Sequence, residues 1–213
     1  IKGDASFRKF YRKKKGNSSS IIVISKKEKF KNLLIYDAIN KILIKNKILA
    51  PKLYSEEYTK NYIEIEDFGN KTMFSHLKSK KKFYYYKKII DLLIKIQSIK
   101  NRKINTFKNR NYSIPKYNKE ILIKEADLFC NWYVKYFSNS DISKFSKNFR
   151  KIIKNLTNNL KFKNNVFVHR DFHVSNLMLV KNQIGVIDSQ DALIGNIAYD
   201  LASLIDDVRL KTS

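Results

Sequence analysis

The stretch Val168-His169-Arg170-Asp171-Phe172-His173-Val174-Ser175-Asn176-Leu177-Met178 lies between two short apolar segments, residues 166–168 and 184–187. Short apolar runs bounded by polar residues are typical of buried strands. We therefore predict that one strand leads into a polar loop and that a second strand ends at Asp188. This order brings Asp171, Asn176 and Asp188 to neighbouring strand ends, where their side chains can converge.

These three residues are the ones that phosphoryl transfer from a nucleotide requires. Asp171 can accept or orient the proton of an attacking hydroxyl, and Asn176 and Asp188 offer Mg²⁺ the hard oxygen ligands that it prefers. The spacing H-R-D-x-x-x-x-N starts at His169 without a gap. A polar loop between strands can also simply turn the chain, but three chemical positions in register favour the phosphotransfer interpretation. We expect His173 to brace the loop by hydrogen bonding, with positioning of a ligand as the alternative.

The first third of the chain is strand-rich and the remainder is helix-rich. Strands are predicted at 6–12, 20–25, 53–58 and 62–66, with a turn at Gly16-Asn17, and helices at 28–48, 72–79, 81–99, 118–137, 141–161 and 197–209. The composition changes near residues 67–70. We expect an N-lobe at 1–67 that binds nucleotide and a C-lobe at 68–213 that carries the catalytic and acceptor sites, with a cleft between them.

Composition excludes several classes of protein. The 213 residues are 43% hydrophobic, which is enough for a packed core and excludes wholesale disorder. The single cysteine, Cys130, excludes an internal disulfide framework and points to a reducing compartment; we expect its side chain to pack. The apolar runs are far too short to cross a bilayer, so no membrane association is expected.

The formal charge of +25 raises the possibility of nucleic-acid binding. However, 37 of the 44 basic residues are Lys, whereas recognition of bases and phosphates favours Arg. Residues 164–213 hold 4 basic and 6 acidic residues, so the part with recognisable chemistry is not basic. We therefore expect a solvated Lys-rich surface and no specific nucleic-acid partner.

The loop and the residues after it resemble the aminoglycoside phosphotransferase family of small-molecule kinases. The family pattern H-x-D-x-H-x-x-N is matched by His169, Asp171, His173 and Asn176, and its metal-binding aspartate is matched by Asp188. The resemblance covers essentially the whole chain. It implies an α+β, protein-kinase-like fold of two lobes, with a small antiparallel sheet in the N-lobe and a mainly helical C-lobe. It also implies ATP and Mg²⁺ as cofactors and a cytoplasmic location.

The resemblance assigns roles to individual residues. It implies catalytic roles for Asp171, Arg170 and His169, metal binding by Asn176 and Asp188, acceptor binding by His173 and Asp191, and a buried bracing role for Asp200. Glu66, Asp67 and Phe68 fit the connector whose backbone would meet an adenine edge, a plain turn between lobes being the alternative.

Two further stretches resemble the subgroup of anomeric N-acetylmuramate/N-acetylglucosamine kinases. Gly3-Asp4-Ala5-Ser6-Phe7-Arg8 is similar to its opening G-D-A-S-x-R motif, and residues 117–133 are similar to its Y-x-x-x-L-L…E…L-F…W-Y stretch. Residues Gly3 to Phe7 would form a turn over the nucleotide phosphates, with an ordinary hairpin turn as the alternative. Glu125, Trp132 and Tyr133 would hold a sugar by hydrogen bonds and ring stacking, with core packing of the aromatic residues as the alternative.

The chain departs from the kinase pattern in places. The strand at 20–25 contains no Lys, and Lys26 and Lys27 come only at its end. The helix after it has Asp37 but no clear Glu partner. The metal motif reads Asp-Ser-Gln, so no activation switch of the protein-kinase type is expected. The chain begins at Ile1 and ends at Ser213, close to its motifs, and we expect it to be a C-terminally truncated piece.

We therefore expect an ATP-dependent kinase of an amino-sugar hydroxyl. The alternatives are an aminoglycoside- or choline-type kinase, a nucleotide-binding pseudokinase, and an RNA-binding module; the sequence leaves the oligomeric state open.

Overall fold

The computed structural model describes residues 8–25, 31–137, 141–159, 163 and 165–210. The predicted phosphate turn at Gly3, Asp4, Ala5, Ser6 and Phe7 lies outside the described residues, as do Lys26 and Lys27. The strands are β1 (Lys9–Lys15), β2 (Ser18–Ile24), β3 (Leu53–Glu57), β4 (Tyr62–Glu66), β5 (Lys103–Asn105), β6 (Asn111–Ser113), β7 (Val166–Val168), β8 (Leu177–Val180), β9 (Gln183–Val186) and β10 (Leu193–Gly195). The helices are α1 (Lys31–Lys45), α2 (Met73–Leu77), α3 (Lys82–Gln97), α4 (Lys119–Leu128), α5 (Lys135–Phe137), α6 (Ile142–Asn159) and α7 (Tyr199–Ile205).

The N-terminal part is an antiparallel sheet of four strands in the order β1-β2-β4-β3. Alternate residues of its two central strands, Ile21, Val23, Ile63 and Ile65, are buried on one face and pack against α1. This period of two is the pattern expected of a sheet with one covered face. The turn between β1 and β2 uses Gly16 with φ +56°, a left-handed conformation that glycine adopts without strain.

The C-terminal part is mainly helical and is built around α3. Its buried residues Ile89, Leu93 and Ile96 follow helical spacing and join a cluster that includes Phe167 of β7 and Phe172 of the polar loop. The same cluster extends to Ala38 and Ile42 of α1, so one core continues beneath both lobes. Among the helices of the described ranges, none is long and apolar enough to cross a membrane.

The two-lobed α+β architecture predicted from the sequence is confirmed, and most of its elements lie where they were expected. The predicted helix at 118–137 is wrong as a continuous α-helix: a π-helical segment, Phe129–Val134, follows α4. The Lys135 amide donates to the carbonyl of Cys130, five residues earlier, and Cys130 and Val134 are both buried. Cys130 therefore packs, as expected.

The predicted last helix at 197–209 is also wrong in its bounds. It covers only Tyr199–Ile205, because the carboxylate of Asp207 accepts the backbone amides of Arg209 and Val174 and turns the chain back towards the polar loop. The polar loop is shorter than the sequence predicted, because Leu177 and Met178 already belong to strand β8. A tight turn at Lys181 and Asn182, both with positive φ, pairs β8 with β9.

Candidate active site

The polar loop after β7 is held from below by Asp200. This carboxylate is fully buried and accepts the backbone amides of His169 at 2.7 Å and Arg170 at 2.9 Å. Burial raises the pKa of Asp200 to about 6, although these two hydrogen bonds oppose the shift. The bracing role implied for Asp200 is consistent with this geometry.

Arg170 has a left-handed backbone, with φ +75°, and its side chain is tied down from α4. Its Nη2 donates to one carboxylate oxygen of Glu125, while the Tyr117 hydroxyl donates to the other. Tyr199 lies next to both, with its hydroxyl 3.5 Å from Glu125. Glu125, predicted to bind the acceptor, therefore contacts the catalytic loop and orients Arg170 in this structure.

The amide of Asn176 has a defined orientation. Its Nδ2 donates to the Asp171 carbonyl at 3.0 Å and lies 3.2 Å from the His173 Nε2. Burial and the nearby Arg209 lower the pKa of His173, which favours a neutral ring that can accept this second hydrogen bond. Both N–H bonds of the amide are thereby used, and its oxygen remains for a ligand. The contact agrees with the bracing interpretation of His173.

Asp188 lies beside Asn176 because the Ile187 amide donates to the Asn176 carbonyl at 3.0 Å. Its backbone is left-handed, with φ +62°, and its side chain is 34% exposed. The Oδ1 atom of Asp188 accepts from the Nη2 of Arg8 at 2.8 Å. This ion pair joins the residue before β1 to the predicted metal ligand Asp188, 180 residues further along the chain.

These positions fit Mg²⁺ by their chemistry. A carboxylate and an amide oxygen are hard ligands, and Mg²⁺ keeps several waters and needs only one or two carboxylates. Within the described part of the chain, no group of three or more His, Cys, Asp or Glu residues converges as a metal site would require. Asn176 and Asp188 would hold the ion with help from phosphate oxygens and water.

Asp171 has the electrostatic surroundings of a base. Burial raises the pKa of its carboxyl above the ordinary value, and the negative charges of Asp188 and Asp191 raise it further. Asp171 therefore lies near Asp188, and the Asn176 side chain bonds to the Asp171 carbonyl. A carboxylate with a raised pKa accepts a proton from a hydroxyl more readily than an ordinary one.

His169 lies beneath the loop. Its side chain is fully buried against Phe172, and burial lowers its pKa to about 4, although the charge of Asp188 opposes the shift. The imidazole is therefore neutral at pH 7. This position supports the loop from the core side, whereas the predicted catalytic role needs a side chain that faces the cleft.

The low pKa of His169 predicts a pH dependence of stability. A buried neutral histidine contributes stability that is fully present above pH 6.5 and is lost as the pH falls towards 4. Between pH 7 and pH 4.5 the free energy of unfolding should fall by about 2 kcal/mol more in the wild type than in His169→Gln. Denaturant unfolding at both pH values measures this difference. Asp200, whose pKa is raised, changes the stability in the opposite direction as the pH falls, but it is present in both proteins. Equal losses of unfolding free energy in the two proteins would show that His169 does not cause the pH dependence.

The connector between the lobes is fixed by Arg12 of β1. Its guanidinium donates to both carboxylate oxygens of Asp67, at 2.5 and 3.0 Å, and to the Gly69 carbonyl. Phe68 is buried against Gly185 of β9, where an added Cβ would lie 2.7 Å from the Phe68 ring. Side chains of the connector are thus used for anchoring. Glu66 is the last residue of β4, and its amide donates to the Lys52 carbonyl at 2.9 Å.

The predicted acceptor residues at the π-helical segment are on the surface. Trp132 is 66% exposed and stacks on Tyr136, and Tyr133 stacks between Phe129 and Phe137. Core packing, the alternative for Trp132, is therefore wrong. Asp191 is also exposed and accepts from Gln190. Asp191 lies close enough to Asp171 for its charge to raise the pKa of that carboxyl. The aromatic residues of the π-helical segment do not contact Asp171.

Sequence reasoning missed two buried contacts at the site. The Ser189 hydroxyl donates to Asn40 Oδ1 at 2.7 Å, and Asn40 Nδ2 donates to the Pro51 carbonyl, so that α1 is bonded directly to the residue after Asp188. Asp37 instead pairs with Lys41 on its own helix. The second contact is the Arg8–Asp188 pair. Asn40 and Arg8 do not belong to any apolar periodicity of the sequence, and only the packing of the fold brings them to the residues around Asp188.

Comparison with known proteins agrees with this fold. The structure of type VIII aminoglycoside-3'-phosphotransferase matches this chain with a TM-score of 0.68 at 11% identity. The match covers 100% of this chain and 77% of the phosphotransferase chain. A choline kinase of Streptococcus pneumoniae has a TM-score of 0.64 at 15% identity over 96% of this chain and 66% of its own. These similarities show a protein-kinase-like fold.

A family model described as "Phosphotransferase enzyme family" matches residues 1–212, and the chain belongs to this family. The chain is 26% identical, over 98% of its length, to an N-acetylmuramate/N-acetylglucosamine kinase of Neisseria meningitidis serogroup B. It is 25% identical, over 96% of its length, to the kinase of the same name from Pseudomonas putida. The chain spans 60% and 58% of the length of these curated relatives.

Proposed function

We propose that this protein is an ATP- and Mg²⁺-dependent kinase that phosphorylates the anomeric hydroxyl of an amino sugar such as N-acetylmuramate or N-acetylglucosamine. The observation that supports the phosphotransfer part is that Asn176 bonds to the Asp171 carbonyl and to the Ile187 amide, while the charge of Asp188 raises the pKa of Asp171, so that the three residues are neighbours. The choice of acceptor is supported by the names of the relatives that match almost the whole chain.

In the proposed reaction, the acceptor oxygen attacks the γ-phosphorus of ATP. The bond from that phosphorus to the β,γ-bridging oxygen breaks, ADP leaves, and the hydroxyl proton passes to a carboxylate oxygen of Asp171. Asn176 and Asp188 hold the metal, which neutralises charge on the phosphates when it is bound. Catalysis then depends on positioning and on electrostatic stabilisation.

The other residues of the loop keep Asp171 in place. Asp200 fixes the backbone at His169 and Arg170, and Glu125 fixes the Arg170 side chain. Asn176 is oriented by His173 and by the Asp171 carbonyl. Asp191 is exposed beside this group and remains a candidate for acceptor binding. A cytoplasmic location is part of the proposal, because ATP is the phosphate donor.

The test is phosphorylation by the full-length protein. With ATP and Mg²⁺, N-acetylmuramate or N-acetylglucosamine should give a sugar 1-phosphate, identified by ³¹P NMR, together with an equal amount of ADP. Choline and an aminoglycoside serve as comparison acceptors. Phosphorylation of choline or the aminoglycoside alone would overturn the acceptor, and ATP binding without any product would favour a pseudokinase.

A further inference from the structure

Strand β2 ends without a cation where the proposed nucleotide site needs one. Its residues on the face that packs against α1 are Ile21 and Val23, and the next residue on this face is Ser25, which is buried. In α1 the acidic Asp37 pairs with Lys41 and not with a group from the sheet. Within the described residues, β2 and Ser25 therefore supply no lysine that pairs with an acid of the helix; Lys26 and Lys27 lie outside them.

Arg8 lies opposite the end of that strand. Lys9 of β1 pairs with Ile24, the last pair of the β1–β2 ladder, and Arg8 and Ser25 are the next residues along the two antiparallel segments. Directly opposite residues of an antiparallel pair project from the same face. Arg8 therefore projects from the neighbouring strand at the place where a lysine at position 25 would project from β2.

The Arg8 guanidinium is buried and ion-paired with Asp188. Its side chain is only 6% exposed, packs over the Phe10 ring with 5.7 Å between the guanidinium carbon and the ring centroid, and bonds to Asp188 at 2.8 Å. Burying a permanent charge is unfavourable unless anionic partners compensate it. Asp188 is one such partner, and its side chain stays 34% exposed, so the pair lies at an open edge where a polyphosphate can approach.

We propose that Arg8, the residue before β1, is the phosphate-binding cation of this site and replaces the lysine that β2 lacks. The inference rests on the proposed function, since it assigns a residue to the nucleotide polyphosphate. The planar guanidinium carries a permanent charge and five N–H donors, which is the chemistry that binds phosphate oxygens. Without nucleotide, the Arg8–Asp188 pair holds Asp188 in the orientation in which Asn176 lies beside it.

The test measures binding of adenosine and ADP to the full-length protein by isothermal titration calorimetry with Mg²⁺ present. Arg8→Ala and Arg8→Gln should each weaken ADP binding about 10- to 100-fold, the contribution of one hydrogen-bonded ion pair to phosphate. Adenosine affinity should stay within about twofold of the wild type. Arg8→Gln keeps a hydrogen-bond donor for Asp188 but removes the positive charge. The loss of ADP affinity in this variant therefore measures the contribution of the charge.

Lys9→Ala is the matched control, because it removes the same charge from the next residue of β1, where the side chain is exposed. Its ADP affinity should match the wild type. Adding Ser25→Lys to Arg8→Ala should restore part of the ADP affinity, since the new lysine extends into the space that Arg8 leaves. A purely structural arginine would not be replaced in this way.

Three results would overturn the inference. These are unchanged ADP affinity in Arg8→Gln, an equal loss for adenosine and ADP, and a double variant that folds but recovers no ADP affinity. If the wild type itself does not bind ADP, the proposed function fails and the role of Arg8 fails with it. If the wild type and Arg8→Gln bind ADP equally well, only the role assigned to Arg8 is rejected, and the proposed function is not.

Discussion

Replacing Asp171 by Asn should reduce the rate of sugar phosphorylation by roughly 100- to 10,000-fold, the usual contribution of a general base. The amide has nearly the same shape as the carboxylate but cannot accept the hydroxyl proton. Affinity for ADP should change little, because Asp171 is assigned to the acceptor and not to the nucleotide. The measurements are turnover under saturating substrates and ADP binding by calorimetry.

Asp91→Asn is the control for Asp171→Asn, since Asp91 is an exposed carboxylate on α3. It should leave both quantities unchanged. Turnover of the wild type should also fall at acid pH, with a midpoint above the ordinary carboxyl pKa of about 4, because burial raises the pKa of Asp171. Turnover that is undiminished in Asp171→Asn would overturn its assignment as the base.

Replacing Asp200 by Ala should lower the free energy of unfolding by about 2–5 kcal/mol and nearly abolish turnover. The change removes the acceptor of two backbone amides, one of them in a fully buried residue, and leaves both without a partner. It also releases Arg170, whose left-handed backbone persists only while its surroundings hold it. Denaturant unfolding and steady-state kinetics measure the two effects.

The matched control for Asp200 is Asp206→Ala, which removes an exposed carboxylate just after the same helix. Its stability should stay within about 0.5 kcal/mol of the wild type. Asp200→Asn should lie between wild type and Asp200→Ala in stability, because its amide keeps one acceptor oxygen. If Asp200→Ala is as stable as Asp206→Ala, Asp200 does not brace the loop.

The sequence predicted the elements that have a long or regular pattern. The strands of the N-terminal sheet and helices α1, α3 and α6 follow from apolar spacing that local physics enforces. The short strands β5, β6, β8 and β10 were missed. β5 and β6 each hold one apolar or aromatic residue between polar ones, unlike the apolar β7, and β8 follows the polar loop without a turn signal. The π-helical segment was missed as well, since its aromatic residues continue a helical pattern while its backbone takes in one extra residue per turn.

The candidate site was predictable where its residues are close in sequence. Asp171 and Asn176 share one loop, and Asp188 ends the hairpin that follows. Contacts that depend on the packing of the lobes left no trace in the pattern. Arg8 reaches Asp188 across 180 residues, and Glu125 was assigned to the acceptor because its contact with Arg170 depends on how α4 packs.

The central claim is that Asn176 and Asp188 hold a metal on a nucleotide polyphosphate beside Asp171. A crystal structure of the full-length protein with a non-hydrolysable ATP analogue and Mn²⁺ in place of Mg²⁺ tests it most directly, because the anomalous signal locates the metal. We expect a metal peak bonded to oxygens of Asn176, Asp188 and the polyphosphate. A bound nucleotide whose metal contacts neither side chain would contradict the account.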